Sequence, residues 1–279
     1  MAEAGKSIDV SCLQGVSETL LIPLIARARA STLFPDLQFQ DPLAETILPQ
    51  LNINFSALPL NRDSLRKNIV RGSIFDRQLR LFLESHPDST AISLGAGLST
   101  QFHRVDNGRL KWFDIDLPEV IKVKSALLPQ HDRYHLYSYS LTDPQWLDAV
   151  SWSADKPVII ICEGVLNFIA PEDVQAFFQM IAARFATKTQ LIFDYVHPLL
   201  IRAANQSRYV RMNATEFRWG VRHIQDVLGW SERFELIDEF PIMNEVGGSK
   251  GMMSTLFHRI TGSYLYAIAR LELSPVPAN

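Results

Sequence analysis

Residues Ala91 to Val105 read AISLGAGLSTQFHRV. An apolar run ends at Leu94, the chain bends through Gly95, Ala96 and Gly97, and polar residues then open what reads as a helix. Glycines at such a strand-to-helix bend allow a tight turn and let a ligand approach the backbone. A dinucleotide fingerprint would put a third small residue three places after the second glycine, packing helix against strand around a pyrophosphate. Thr100 stands there instead. The bend therefore suits a nucleoside, or a nucleoside with a small tail, and speaks against a nicotinamide dehydrogenase.

Outward from this bend the chain reads in two rhythms. Up to about residue 85 it is helical: VSETLLIPLIARARAST, then DPLAETILPQL, then DSLRKNIVRGSIFDRQLRLFLESH. In the last of these Leu65, Ile69, Phe75, Leu79, Phe82 and Leu83 recur near helical spacing, and Asp63 is placed to cap it. From residue 90, short apolar runs (TAISLGAG, KWFDIDL, YHLYSYSL, PVIIICEGVL, QLIFDYV) alternate with helical stretches. Strand, helix, strand in succession predicts a mostly parallel sheet covered on both faces. VIIIC, apolar throughout, has the pattern of a central parallel strand. After Val196 a long connection precedes the runs FELIDEFPI and YLYAIARLEL. A structureless loop of that length is rare in a compact domain, so helices are expected in it. The two closing runs have no evident helix between them and predict a reversed terminal pair.

Composition narrows the function. With 279 residues, 47% apolar and 20% charged, the chain is an ordinary globular one, and a net charge of -3 offers no basic excess for nucleic acid. No secretory signal is evident at the start, and no apolar run approaches the ~20 residues that span a bilayer. A cytoplasmic enzyme without nucleic-acid, membrane or obligate protein partners is the expectation. Cys12 and Cys162 are too few for a disulfide framework and wrongly spaced for zinc, so both read as packing residues and no metal site is expected.

Two acids sharpen the reading of the bend. KWFDIDLPEV places Asp114 and Asp116 about 20 residues past the first glycine, where an acid reaches ribose hydroxyls. Strand alternation puts both on one face, with Asp116 nearer the strand end. In ICEGVLNFI, Glu163 follows an apolar run at the carboxyl end of a central strand, the side on which α/β sheets bind ligands.

Together LGAG, FDIDLPEV and CEGVLNFI, with VSETLLIPLIARARAS…DP and VRGSIFDRQL before them, resemble the signature blocks of the leucine carboxyl methyltransferase superfamily, and within it the tetracenomycin-type polyketide O-methyltransferases. The similarity runs over about residues 15 to 200 and is strongest over 67 to 168. The resemblance implies a Rossmann-like class I methyltransferase with a seven-stranded, mostly parallel sheet and a reversed terminal strand. It implies one domain: a helical N-terminal cap (1–85), a cofactor-binding core (90–197), a helical lid insertion (198–233) and closing strands (234–279). The implied cofactor is S-adenosyl-L-methionine. Arg27 and Arg71 stand at the family's contacts to the methionine carboxylate, Gly95, Ala96 and Gly97 at the loop under the methionine moiety, Asp116 at the ribose acid with Asp114 before it, and Glu163 at the acid approaching the cofactor. Two positions depart from the pattern. Ser140, followed by Leu141, occupies the place of an adenine-contacting acid, with Asp143 further on, and Phe168 stands where tyrosine is frequent.

The implied reaction moves a methyl group to a carboxylate or hydroxyl oxygen of a small molecule, polyketide-like or otherwise acidic. A carboxylate, with pKa near ~4, is already ionised and needs no base, whereas a hydroxyl does. Tyr195 and His197, in FDYVHPL at the end of the fifth strand, are the candidate bases, ahead of His103 and His135. Arg202, Arg208, Arg211, Arg218 and Arg222, with Tyr209, Phe217 and Trp219, make the segment 198–230 a candidate substrate lid. The alternatives are methylation of a protein C-terminal carboxylate and a cofactor-binding regulator without turnover.

Overall fold

The computed structural model describes residues 8–13, 15–55, 58, 60–153, 156–185, 189–206 and 216–274. Its centre is a sheet of strands β1 (Thr90–Leu94), β2 (Lys111–Asp116), β3 (Tyr134–Ser138), β4 (Val158–Cys162), β5 (Thr189–Val196), β6 (Phe234–Pro241) and β7 (Tyr266–Leu273). The spatial order is β3-β2-β1-β4-β5-β7-β6. β1 to β5 are parallel, and β7 runs antiparallel to both β5 and β6. The seven-stranded sheet with a reversed last strand is the expected one. The reversal belongs to β7 alone, which inserts between β5 and β6.

Alternation along the central strands sorts side chains into two cores. Ala91, Ile159 and Ile161 point to one face, Ile92, Ile160 and Cys162 to the other, all fully buried. The first face is covered by α1 (Leu21–Ala28), α2 (Pro42–Ile47) and α3 (Arg62–Ser85), through Leu24, Ile25, Ile69 and Phe75. α4 (Gln101–Val105) and α5 (Pro118–Leu127) follow β1 and β2 on that side, contributing Phe102 and Val120. The second face is covered by α6 (Trp146–Ala149) and α7 (Pro171–Arg184), whose Phe177 and Phe178 meet Phe193. Cys162 is simply part of this packing, and Cys12 is exposed and free.

The cap of α3 stands two residues before the expected one. Asn61, extended at φ -119°, accepts from the Ser64 amide, which satisfies an orphan donor of the first turn. Asp63 turns outward to Lys250. After β5 the chain forms α8 (Pro198–Asn205) and, beyond a stretch outside the described residues, α9 (Ile224–Leu228). Between β6 and β7 lie two helices that the pattern did not reveal, α10 (Ile242–Val246) and α11 (Gly248–Thr261). α11 buries little: Met252, Met253, Leu256 and Ile260 are exposed, so its apolar residues never formed a core-facing period. No described helix is long and apolar enough to cross a membrane.

Candidate active site

A cavity of about 530 Å³ opens at the carboxyl ends of β1, β4 and β5. That is where the strand order reverses, with β2 and β3 on one side of β1 and β4 onward on the other. Its floor is the bend after β1. Gly95 and Gly97 both adopt φ values (+62° and +49°) that side-chain-bearing residues rarely reach. A methyl group on Gly95 would lie 2.4 Å from Val165 Cγ2, and one on Gly97 2.8 Å from Leu20 Cδ2. Neither position can take a side chain without displacing Val165 or Leu20, so the bend keeps its backbone bare. Asp116, at the end of β2, ties the bend down: one carboxylate oxygen accepts from the Gly97 amide at 2.6 Å, the other from the Leu117 amide at 2.7 Å. Burial pushes its carboxyl up, against the pull of these two amides.

The wall facing the bend is α3. Arg71 reaches across to the end of β4, with Nε 3.0 Å from Glu163 Oε1, and Nη1 3.1 Å from the Tyr266 hydroxyl and 3.5 Å from Asp194. Asp194 in turn accepts from Tyr266 at 2.9 Å and from the Gly164 amide at 2.5 Å. Burial opposes the charge on Arg71, but Tyr266, Asp194 and Glu163 more than restore it and hold the guanidinium firmly protonated.

Arg27 on α1 enters from the other side, with Nε 3.1 Å from Asp41 and Nη2 bonded to the Leu98 carbonyl at 2.8 Å. Asp41 is fully buried and central: it also accepts from Arg104 at 2.7 Å, from the Thr100 hydroxyl at 2.5 Å and from the Ala44 amide at 3.0 Å. Burial alone would raise its carboxyl, yet Arg104 and Arg27 bring it below the ordinary value. Arg104 is clamped as well by Asp76, through Nε at 2.6 Å and Nη2 at 3.0 Å. Thr100, standing where a dinucleotide fold would carry a third small residue, is thus a ligand of this network.

Residues 21–182 match the family described as leucine carboxyl methyltransferase. The chain belongs to that family. Two relatives cover most of it. The tetracenomycin polyketide synthesis O-methyltransferase TcmP of Streptomyces glaucescens is 29% identical over 81% of this chain and 85% of its own. The S-adenosyl-L-methionine-dependent methyltransferase dpfgK of Gibberella zeae is 25% identical over 90% and 93%. Among solved structures, a Thermobifida fusca protein superposes with a TM-score of 0.61 at 15% identity, covering 96% of this chain and 97% of its own. Magnesium protoporphyrin IX methyltransferase of Synechocystis, crystallised with S-adenosylhomocysteine, gives 0.51 at 12% identity over 90% and 99%. The fold is therefore that of class I methyltransferases.

In this member of the family, six of the cofactor-binding candidates read from sequence share the cavity wall: Arg27, Arg71, Gly95, Ala96, Gly97 and Glu163. Asp116 lies behind the bend rather than on the wall. Several others go elsewhere. Asp114 is sealed in the core, 2.6 Å from Lys124 and bonded to the Tyr134 hydroxyl and to Trp112 Nε1 at 2.7 Å. Its residue type and spacing matched a ribose acid, but α5 delivers a buried lysine that claims it. Ser140 bonds Thr142 at 2.8 Å and Leu141 packs in the second core, and neither reaches the wall.

The two candidate bases also fall outside it. Tyr195 is buried with its hydroxyl on Glu239 of β6, and burial pushes its proton affinity far up. His197 caps α8, its Nδ1 accepting from the Leu199 amide at 3.2 Å, while its ring packs edge-on against Phe257. Burial and the nearby Arg222 and His223 lower its pKa. His103 and His135 are likewise away from the cavity.

Of the lid segment, Arg202, Arg218 and Arg222 are exposed and Trp219 belongs to the core, whereas Phe217 lines the cavity, stacked on Phe168 at 4.9 Å. Arg208, Tyr209 and Arg211 lie outside the described residues. The cations that do face the cavity from that end are Lys67 and Lys250, from α3 and α11. Neither was singled out beforehand, nor were Asp41, Tyr266 and Asp194. A helix that reads as KNIVRG gives no sign of which lysine faces a cavity. Asn167 was also missed. It is buried on the wall, with Oδ1 lacking a partner among the described residues.

Proposed function

We propose that the chain transfers the methyl group of S-adenosyl-L-methionine to an oxygen of a small acidic molecule. The observation that carries this is a single cavity with two different ends, a glycine cradle faced by Arg71 and Glu163, and an apolar wall carrying lysines. The residues present fit the cofactor. The bend lines the cavity with Gly95, Ala96 and Gly97, and Asn167 offers a buried oxygen without a partner among the described residues. Arg71, Glu163 and the bend would hold its amino-acid end, with Asp116 keeping the bend in place and Arg27 bracing it through the Leu98 carbonyl. When bound, the cofactor supplies an electrophilic methyl group on a sulfonium sulfur.

The protein's part is then alignment and exclusion of water, and holding reactants in line is worth up to about 7–11 kcal/mol. The apolar side chains of α8 and the Phe168–Phe217 stack close the cavity over the acceptor. On the wall, Glu163 is committed to Arg71, and Tyr195 and His197 are absent from it. That distribution favours an acceptor already ionised at neutral pH, a carboxylate, over a hydroxyl that must surrender a proton. The likeness to TcmP supports oxygen as the acceptor atom and a polyketide-like acid as its bearer.

The test is methyl transfer from radiolabelled S-adenosyl-L-methionine in a metabolite extract supplemented with polyketide and aromatic acids. Label that extracts into organic solvent and is released by mild base would establish a small-molecule ester. Label that stays with precipitated protein would instead indicate a C-terminal carboxylate, and absence of heat on titration with S-adenosyl-L-homocysteine would remove the reading altogether.

A further inference from the structure

Among the described residues the cavity wall carries four cations, Arg27, Lys67, Arg71 and Lys250. Three are committed: Arg27 to Asp41, Arg71 to Glu163 and Asp194, and Lys250 to Asp63. Lys67 has no hydrogen bond or ion pair with any described residue, although it is partly buried. The charges that face it are Lys250, which disfavours its protonated form, and Asp63, which favours it but is itself bonded to Lys250. An ammonium withdrawn from water without a partner is a cost that the fold does not recover within itself.

Its place on α3 says which end of the cavity it serves. Lys67 precedes Arg71 by four residues, so it shares that helix face and lies about 6 Å along the axis, away from the glycine bend. The two ends also differ in formal charge. Arg71 with Glu163 and Asp194 sums to minus one beside the bend. Lys67 and Lys250 with Asp63 sum to plus one at the far end, beneath Ile201 and Ala204 of α8 and Met243. A cofactor with a sulfonium, an ammonium and one carboxylate is a net cation and matches the first end. The second end calls for an anion on an apolar body.

We propose that Lys67 is the acceptor-specificity residue of this cavity, its ammonium holding an anionic group of the acceptor while Arg71 serves the cofactor. The assignment rests on the methyltransferase reading above. It sets Lys67 apart from Arg27 and Arg71, the two carboxylate contacts implied by the resemblance, and it moves acceptor recognition from the arginines of the lid segment to α3.

The test is calorimetric titration of the full chain, saturated with S-adenosyl-L-homocysteine, with 2-naphthoate and with its neutral amide, 2-naphthamide. Wild-type protein is expected to prefer the carboxylate by about tenfold or more, as one charge-assisted hydrogen bond provides. Lys67→Met, which keeps the apolar stem, should bind the two probes about equally, and Lys67→Arg should keep the preference. S-adenosyl-L-homocysteine affinity should stay within about threefold in both variants, which also shows that they fold. Preference surviving in Lys67→Met, no preference in the wild type, or parallel loss of S-adenosyl-L-homocysteine binding would each overturn the assignment. Failure of the wild type to bind S-adenosyl-L-homocysteine would instead sink the reading on which it rests.

Discussion

Two arginine–carboxylate clusters flank the glycine bend, and they are built differently. In the first, Arg27 and Arg104 meet Asp41 and Asp76, two cations and two anions, with Asp41 wholly buried and every member's side chain at most 7% exposed. In the second, Arg71 meets Glu163 and Asp194, an unequal sum, and Arg71 and Glu163 keep 12% and 18% exposure toward the cavity. A balanced, closed cluster has nothing left to offer a ligand, so its work is to fasten α1, α2, α3 and α4 to one another. An unbalanced, open cluster costs more to maintain in the free protein and is where a charged ligand brings a return. Balance and exposure, more than residue type, separate a brace from a binding site.

The comparison can be broken first at its strongest point. Asp41→Ala leaves Arg27 buried without its ion-pair partner and removes one of the two carboxylates on Arg104, and a loss of about 3–5 kcal/mol in unfolding free energy is expected from urea titration. Wild-type stability should also fall on acidification. The Asp41 carboxyl is held below its ordinary value, so its contribution is complete above about pH 4 and disappears as the pH drops through the lowered native value. Asp41→Asn should flatten that acid limb, and an unchanged limb would show that other carboxylates govern it.

Next comes the open cluster. Arg71→Met should weaken S-adenosyl-L-homocysteine binding by roughly tenfold to a hundredfold in calorimetry, the range set by one or two charge-assisted bonds. Equal loss of binding in Asp41→Asn, with the fold intact, would erase the distinction drawn between the clusters. Gly95→Ala is expected to cost about 1 kcal/mol from its positive φ, with more from the clash with Val165. Pairing it with Val165→Ala should recover only part of the steric cost, because the Cβ of residue 165 would still lie 2.7 Å away, as thermal unfolding of the double variant would reveal. The smallest effect belongs to the residues that left the site. Tyr195→Phe and His197→Gln should keep kcat within about threefold, because neither side chain reaches the cavity. A hundredfold fall in kcat with unchanged stability would restore one of them as a base.

Much of the fold could be read from spacing. Short apolar runs such as those of β1 and β4 mark the buried strands of one sheet, and the glycine bend with an acid 21 residues on marks the crevice, because both follow from local backbone geometry. Lys124 and Tyr134 seized Asp114, Glu239 took Tyr195, and the Leu199 amide took His197, and none of these partners was legible beforehand. α10 and α11 were missed because a helix that leaves Met252, Leu256 and Ile260 in solvent shows no apolar period facing a core.

Periodicity thus determined where strands and helices fall, and the motif blocks pointed to the family that the chain belongs to. Tertiary structure decided who meets whom. It slid β7 between β5 and β6, gathered residues 27, 41, 76 and 104 into one brace, and set Lys67 near Lys250 on the cavity wall without a hydrogen-bond or ion-pair partner among the described residues. The reason is physical: burial pattern is a property of one segment and its solvent, whereas an ion pair is chosen by how segments far apart in sequence pack.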